Sequence, residues 1–344
     1  MMFPVRDMLF AAVAGFAVFI ATLLTGLIGL PIIRHRSSEQ PIRHNGPQTH
    51  LAKSGTPTFG GFFFVIPIAI LGIVGPLLRK DLMQMSATIV LMLLFASVGF
   101  IDDYIKVSVS PKGLSVKQKT LLLGFFSVVA AVYYLWISPV PPFILVPFSV
   151  QPILVTGWWK ALYFVFLVPF LFYMSNSVNI TDGVDGLLAS LMVVASLGLL
   201  SVGGLLSAIL PQALSLSFTT LSVALAAGCL GFLFFNRYPA KIFMGDTGSQ
   251  ALGIGFAFLT VMAGVPYLAV ITGFVFFFEG FSVVLQVLYF KRTGGKRIFR
   301  MSPIHHHFEL GGWRETKIVN VFSLIALVAA ILGFFLVSGP LFGR

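Results

Sequence analysis

Long apolar stretches without charged residues recur along almost the whole of this chain, and they constrain its fold more than any other feature. Of the 344 residues, 58% are apolar and 10% are charged. Uncharged apolar stretches of about 18–25 residues are long enough to cross the ~30 Å hydrocarbon core of a bilayer as helices. The sequence therefore predicts an all-α polytopic membrane protein with about ten transmembrane helices. The candidate spans are residues 9–33, 59–78, 82–101, 120–137, 161–178, 187–206, 213–235, 250–263, 267–290 and 318–337.

Two details of this segment pattern stay open at the level of sequence. The eighth run is short and only three residues, 264–266, separate it from the ninth, so one broken re-entrant segment is the alternative to two spans. Residues 138–155 mix prolines with β-branched residues, which leaves a small extracytoplasmic β-hairpin open. No separable soluble domain or internal repeat is visible, so we interpret residues 1–344 as a single integral membrane domain.

The net charge of +11 follows the topology of the chain. Most of the 22 Lys and Arg residues fall in loops after odd-numbered spans, whereas the connections after spans four, six and eight are almost uncharged. This asymmetry predicts that the basic loops are cytoplasmic and that both termini are extracytoplasmic. It also argues against nucleic acid binding as the reason for the positive net charge. The single cysteine, Cys229, excludes an intrachain disulfide and a multi-cysteine metal site.

Five of the 11 acidic residues lie in three short motifs, all in loops assigned to the cytoplasmic face. The first motif is the pair Asp102 and Asp103, at the end of the third apolar run. A helix C-terminus disfavours anions, so two aspartates there indicate a cation or a catalytic role, with a solvated helix end as the alternative. Adjacent helical residues point about 100° apart, so one carboxylate can face a central site while the other faces a lysine.

The second motif, NITDGVDG (179–186), places Asp182 and Asp185 three residues apart. If Thr181 or Asp182 caps the sixth helix, both carboxylates lie near its N-terminus and on one face. Capping alone would account for Asp182, but it leaves Asp185 together with Asn179 unexplained. We therefore predict that this motif binds a ligand.

The third motif, GDTGS (245–249), places Asp246 just before an apolar helix. Mg²⁺ in proteins takes one or two carboxylates and completes its shell with waters and substrate phosphates. An aspartate beside a glycine at a helix start suits that role, with a turn or an N-cap as the alternative. Together with the other acidic motifs, it predicts Mg²⁺ as a cofactor of phosphate chemistry at the membrane surface.

Three consecutive histidines, His305 to His307, lie in the last long loop. Consecutive residues do not readily converge on one ion, and zinc usually takes three or four separated ligands. Substrate hydrogen bonding is therefore favoured over a structural or a metal role. Glu279, inside the ninth run, stands apart because a carboxylate within the membrane is by default functional or paired.

These features together predict a phosphoryl or phosphosugar transfer between a soluble nucleotide and a lipid phosphate. A phosphate nucleophile has a second pKa of about 6 and is mostly dianionic at pH 7. The main obstacle is then the approach of two polyanions, which Mg²⁺ and lysines would ease. A transporter or lipid flippase is the alternative from another class, but transporters place polar residues near mid-membrane, whereas here nearly all lie at one face.

The motifs resemble those of the phospho-N-acetylmuramoyl-pentapeptide transferase family, within the polyprenyl-phosphate N-acetylhexosamine-1-phosphate transferase superfamily. The acidic motifs mark the superfamily, whereas the first and last motifs are more specific to the muramoyl-pentapeptide branch and argue against a GlcNAc-1-phosphate transferase. Phe59 stands where methionine is common. The matching segments are KSGTPTFGG (53–61), FIDDYIK (100–106), NITDGVDG (179–186), NRYPAKIFMGDTGS (236–249) and PIHHHFE (303–309).

The resemblance implies a multi-pass enzyme of peptidoglycan biosynthesis in the bacterial plasma (inner) membrane, often a homodimer, with a cytoplasmic active-site cleft. It implies transfer of phospho-MurNAc-pentapeptide from UDP-MurNAc-pentapeptide to undecaprenyl phosphate, with lipid I and UMP as products.

The resemblance also implies roles for individual residues. Asp246 would bind Mg²⁺, with Asp182 as a second metal ligand, and Asp102 and Asp103 would lie at the reacting phosphates, the first as a candidate base. A break in the ninth helix near Glu279 and Gly280 would shape a groove for the polyprenyl chain. The residues assigned to the nucleotide, metal or substrate are Lys53, Lys112, Lys119, Asn179, Asp182, Asp185, Asn236, Phe243, His305, His306 and His307.

Overall fold

Helices make up most of the chain in the computed structural model, which describes residues 4–36, 55–148 and 151–342. Lys53, a predicted substrate contact, lies outside these ranges. The elements in chain order are α1 (Val5–Arg36), α2 (Phe62–Leu78), α3 (Met83–Ser108), α4 (Val116–Val132), β1 (Phe143–Leu145), β2 (Pro152–Leu154), α5 (Trp159–Thr181), α6 (Leu187–Leu206), α7 (Gln212–Asn236), α8 (Gly245–Met262), α9 (Pro266–Ile271), α10 (Phe274–Arg292), α11 (Ile304–Glu309) and α12 (Glu315–Phe342).

The predicted all-α polytopic membrane fold is confirmed. In the described ranges, eight helical segments are long and apolar enough to cross a membrane by length and composition. They are α1, α3, α4 with the helical turn that continues it to Ile137, α5, α6, α7, α10 and α12. The other two predicted spans correspond to α2, an apolar helix of 17 residues, and α8, which has 18 residues. Each of the ten apolar runs therefore contains a helix, and the ninth run contains two, α9 and α10.

Helix α8 forms the centre of the bundle and brings the third acidic motif beside the first. Every residue from Thr247 to Met262 is buried, and the helix packs against α3 and α5. At Gly99 of α3, an added Cβ would lie 2.2 Å from the carbonyl oxygen of Asp246. Only glycine permits so close an approach of two helix backbones, and this approach places the acidic pair of α3 at the first turn of α8.

The predicted hairpin between the fourth and fifth spans is also present. Strands β1 and β2 pair in antiparallel register, with Phe143 opposite Leu154. The buried hydroxyl of Tyr134 donates a hydrogen bond to the carbonyl oxygen of Phe143 at 2.9 Å, which ties the hairpin to the end of the fourth span.

Two predicted helix ends are wrong, because α3 extends beyond its apolar run and the turn at Asp182 belongs to the end of α5. Helix α3 does not end at Asp102 and Asp103 but continues to Ser108, since lysines and backbone amides compensate both carboxylates. Asp182 does not cap the sixth helix. It lies at the C-cap of α5, and Gly186, with a φ of 74°, forms the N-cap of α6.

The predicted break of the ninth helix is also misplaced. The interruption lies at Thr272 and Gly273, between α9 and α10, whereas α10 runs without a break through Glu279 and Gly280. The carboxylate of Glu279 faces a buried side chain, His305, and the helix does not open around it. The short turn at 263–265 separates α8 from α9, so the eighth and ninth runs form distinct helices.

Candidate active site

Two lysines and two aspartates form a compact charged network where α3, α4 and α8 meet. The Nζ atom of Lys106 lies 2.8 Å from Oδ2 of Asp102 and 2.7 Å from Oδ2 of Asp246. The Nζ atom of Lys119 lies 3.3 Å and 2.6 Å from the same two oxygens. The two ammonium groups thus bridge carboxylates from different helices and balance their charge.

The second oxygen of Asp102 holds the loop after α3 in place. Its Oδ1 atom accepts a hydrogen bond from the backbone N–H of Leu114 at 2.6 Å. Gly113, with a φ of 65°, makes this turn possible, and an added Cβ there would lie 2.4 Å from the same oxygen. The Asp102 carboxylate is therefore occupied on both oxygens and almost fully buried.

Asp103 caps the N-terminus of α8. Its carboxylate accepts hydrogen bonds from the backbone N–H groups of Asp246 at 3.0 Å and Thr247 at 2.9 Å, and from the Thr247 hydroxyl at 2.8 Å. These N–H groups have no partner within their own helix, and the helix dipole favours an anion at this end. Asp103 therefore fixes the orientation of Asp246, the neighbouring predicted metal ligand.

Asn179, near the end of α5, completes the surroundings of Asp246. Its Nδ2 atom donates to Oδ1 of Asp246 at 2.8 Å and to Oγ of Ser249 at 2.7 Å. Both oxygens of Asp246 thus face cationic or N–H donors. Three residues after Asn179, the chain enters the turn that carries the second acidic motif.

A polar cavity of about 320 Å³ lies at this turn. The carboxylate of Asp185 accepts a hydrogen bond from Ala240 N at 2.9 Å. The amide of Asn236 accepts from Gly186 N at 3.1 Å and donates to Ile242 O at 3.0 Å, so both side chains join the turn to the α7–α8 loop. The cavity is lined by Asp182, Gly183, Val184, Asp185, Asn236, Phe243 and His306.

Asp182 has the properties expected of a cation ligand. Loss of hydration, followed by the negative charges of Asp246, Asp103 and Asp185, raises the pKa of Asp182 to about 8. Its carboxylate has no hydrogen bond or ion pair with another residue that the structure describes. A cation would relieve this repulsion.

The carboxylates of this site suit Mg²⁺ better than they suit a metal ion whose ligands all come from the protein. Across residues 4–36, 55–148 and 151–342, no group of three or more His, Cys, Asp or Glu side chains is arranged to hold a metal ion. Mg²⁺ does not require such a group, because waters and substrate phosphates supply most of its ligands.

The three histidines lie in different environments and do not converge. His306 lines the polar cavity, and its Nδ1 atom lies 2.6 Å from Oε2 of Glu309. The Nδ1 atom of His307 accepts a hydrogen bond from Arg300 N at 3.1 Å. His305 is fully buried behind the cavity. Of the three, only His306 is placed to touch a molecule in the cavity.

Five further residues bear on the site. The sequence predicted two of them and did not predict the other three. Lys112 is exposed, and its side chain forms no hydrogen bond or ion pair with the residues described, so its substrate role stays a prediction, as does that of Lys53. Lys106 is part of the charged network, although it is not among the predicted site residues. Its spacing of four residues from Asp102 is the signal that identifies such a pair. Thr247 and Ser249, in the first turn of α8, were also missed.

Comparison with known proteins identifies the class of protein to which this helical membrane bundle and its carboxylate–lysine network belong. Residues 85–264 match the family Glycosyl transferase family 4. The phospho-N-acetylmuramoyl-pentapeptide-transferase of Moorella thermoacetica is 40% identical over 93% of this chain and 96% of its own length. Proteins of the same name from Listeria innocua and Acetivibrio thermocellus are 39% and 40% identical over 94% and 92% of this chain, and over 97% and 92% of their own lengths. The chain belongs to the phospho-N-acetylmuramoyl-pentapeptide-transferase family.

Proposed function

We propose that this chain transfers phospho-MurNAc-pentapeptide from UDP-MurNAc-pentapeptide to undecaprenyl phosphate, with lipid I and UMP as products. The observation that carries the proposal is the charged network, in which Lys106 and Lys119 both contact Asp102 and Asp246. It supplies two fixed cations close to the polar cavity, as a reaction between two phosphates requires. The names of the relatives give the transferred group, and the resemblance of the motifs supplies UDP as its carrier and undecaprenyl phosphate as the acceptor.

The transfer balances as a single displacement at phosphorus. An oxygen of the lipid phosphate attacks the phosphorus next to the sugar and forms a new P–O–P bridge. The P–O bond to the uridylate phosphate breaks, and UMP leaves with the bonding electrons. The ammonium groups of Lys106 and Lys119 offset the repulsion between the two phosphates as they approach.

The geometry favours a supporting role for Asp102 over the base role that the resemblance implied. Both oxygens of Asp102 are already engaged by Leu114 N and by the lysines. A phosphate nucleophile is largely dianionic at pH 7 and needs little help from a base. We therefore assign Asp102 to holding Lys106 and Lys119 at the reaction site.

Asp246 and Asp182 are the residues that would hold Mg²⁺. When bound, the cation neutralises charge on the transferred phosphates. Asp103 contributes indirectly, because its hydrogen bonds to the first turn of α8 fix the backbone that carries Asp246.

The polar cavity is the proposed site of the UDP end of the donor. The ring of Phe243 lines it and offers an apolar surface for the uracil base, while Asp185 and His306 offer polar groups. The cavity volume of about 320 Å³ lies within the range of small-molecule sites, so it suits part of a nucleotide sugar.

The acceptor lipid would reach the charged network from the bilayer, with the site on the cytoplasmic face and both termini outside. The basic loops after the odd-numbered spans support this orientation. Assembly as a homodimer stays a prediction, which size measurement in detergent with correction for bound detergent would test.

The deciding experiment measures UMP release by the detergent-purified protein with undecaprenyl phosphate and Mg²⁺. We expect release from UDP-MurNAc-pentapeptide, none from UDP-GlcNAc, and none after chelation of Mg²⁺. Release from UDP-GlcNAc instead would retain the superfamily chemistry and overturn the donor assignment. Folded protein that releases UMP from neither donor would overturn the proposed activity.

A further inference from the structure

Glu279 of α10 and His305 of α11 form a buried polar pair behind the polar cavity. Both side chains are 0% exposed, and Nδ1 of His305 lies 3.1 Å from Oε2 of Glu279. The angles at this contact do not meet hydrogen-bond geometry, so both carboxylate oxygens and both ring nitrogens lack a hydrogen-bond partner among the described residues. A buried carboxylate is costly unless it is compensated, and such groups inside membrane proteins usually serve the function.

The other edge of the imidazole touches the turn that carries Asp182. A Cβ atom added at Gly183 would lie only 2.3 Å from Nε2 of His305, so the ring rests directly on the backbone of Gly183. Gly183 lines the polar cavity, and so does His306, which follows His305 in the chain. The ring of His305 therefore lies between two parts of the cavity lining, namely the turn at Gly183 and the helix α11 that carries His306.

The part of α10 that carries Glu279 is itself fixed against α5. The hydroxyl of Tyr173 donates a hydrogen bond to the carbonyl oxygen of Phe277 at 2.7 Å. A Cβ added at Gly280 would lie 2.0 Å from Oγ of Ser177, which shows how closely the two helices approach. Helix α5 ends at Thr181, just before the same turn. Glu279 thus holds the imidazole from a rigid support.

We propose that Glu279 is a positioning residue for donor binding. Its carboxylate, 3.1 Å from Nδ1 of His305, attracts the proton on that nitrogen and keeps Nε2 against Gly183. This contact sets the spacing between α11 and the turn at Asp182. The inference rests on the assignment of the polar cavity to the UDP end of the donor. Without the carboxylate, the ring is free to rotate and the two parts of the cavity lining lose their fixed separation.

The kinetic test compares Glu279→Ala and Glu279→Gln. We expect Glu279→Ala to raise the KM for UDP-MurNAc-pentapeptide about 10-fold or more, because misplaced binding groups weaken donor binding, and to change the KM for undecaprenyl phosphate by less than about 2-fold. Glu279→Gln retains an oxygen that can accept the Nδ1–H, so it should restore the donor KM to within about 3-fold of wild type.

Asp7→Ala is the matched control for lost stability. Asp7 is another fully buried carboxylate, ion-paired with Arg79 and hydrogen-bonded to Gln212 at 2.7 Å. Arg79 precedes α3, whereas the charged network lies near the other end of that helix. Asp7→Ala should lower the thermal stability and leave the donor KM unchanged. An unchanged donor KM in Glu279→Ala, with a loss of stability like that of Asp7→Ala, would reduce Glu279 to a structural residue.

A second measurement does not depend on activity. In the whole protein, labelled with ¹⁵N-histidine and placed in nanodiscs, the His305 signals are assigned by their loss in His305→Asn. We expect a protonated Nδ1 in the wild type. An unprotonated Nδ1 would overturn the proposed orientation even if the enzyme assay succeeds. Conversely, a protonated Nδ1 in a protein that releases UMP only from UDP-GlcNAc would retain the pair and reject the donor assignment.

Discussion

Side chains from three other helices contact the carboxylate of Asp246, and its replacement gives the first prediction. Lys106, Lys119 and Asn179 all contact its carboxylate. Asp246→Asn keeps the size of the side chain but removes the charge that would hold Mg²⁺ and the lysines. We expect UMP release to fall by about 100-fold or more, as is common when a metal site is disturbed, with the fold retained.

A titration with Mg²⁺ checks this prediction. Near-normal activity of Asp246→Asn at saturating Mg²⁺ would remove Asp246 from the proposed metal site. Asp81→Asn is the control, because Asp81 is half exposed and its carboxylate pairs with Arg79 away from the network. Its activity should match that of the wild type.

Lys117 and Lys119 provide a matched pair for the second prediction. They lie two residues apart on α4, but only Lys119 reaches the network, at 2.6 Å from Asp246, whereas Lys117 is exposed. We expect Lys119→Met to lower kcat by about 100-fold, because a fixed cation near the reacting phosphates is lost. Lys117→Met should stay within about 2-fold of wild type, since a solvated lysine contributes little. Steady-state assays of UMP release separate the two, and equal losses would assign the effect to general surface charge.

At the residue scale, the sequence predicted most of the polar residues at the site, with Lys106 as the main omission, but not how they pair. Asp102, Lys119, Asn179 and Asp246 all follow or precede apolar runs, so their gathering at one face could be predicted. The role of Asp103 could not be predicted, because its partners belong to α8 and lie 143 and 144 positions away along the chain.

At the scale of the helix, close packing at Gly99 gives the third prediction. An alanine Cβ there would lie 2.2 Å from the carbonyl oxygen of Asp246, and a backbone atom cannot give way as a flexible side chain can. We expect Gly99→Ala to cost about 1–3 kcal/mol or more through overpacking, and to lower activity by moving the first turn of α8.

Gly124 of α4 is the control for this substitution. An added Cβ there meets no atom within 4 Å. Gly124→Ala should be neutral or stabilise the helix by about 0.5–1 kcal/mol, because alanine loses less conformational entropy in a helix. Unfolding in mixed detergents compares the two variants. Equal stability of both would show that α3 and α8 are less closely packed than the structure indicates.

The presence of each helix could be predicted, because a run of apolar residues is sufficient to indicate a span. The positions of the helix ends could not be predicted. Helix α8 begins at Gly245, five residues before the eighth apolar run, since Asp103 satisfies the N–H groups of a polar first turn. Hydropathy cannot detect a cap supplied by another helix. The misplaced break in the ninth helix has a similar cause, because the buried residue that faces Glu279 is His305, which belongs to a separate helix, α11.

At the scale of the whole molecule, polar groups concentrate at the two ends of the bundle in different ways. The lysine–aspartate network and the polar cavity lie at the end formed by the C-terminal part of α3 and the start of α8. At the other end of α3, Arg79 joins Asp7 and Asp81. Only the first end has a large excess of basic residues in its loops, so the positive-inside rule predicts that this end faces the cytoplasm.

Cysteine labelling gives the last prediction, a test of this orientation. Cys229 is fully buried, so background labelling of the native chain should be low. Ile153→Cys lies on the exposed strand β2, and Lys296→Cys lies in the exposed loop after α10. With a membrane-impermeant maleimide on intact cells, we expect Ile153→Cys to react at once and Lys296→Cys to react only after permeabilisation. The reverse pattern would place the polar cavity outside the cell, where a cytosolic UDP-sugar cannot reach it, and the proposed donor would then be excluded by topology alone.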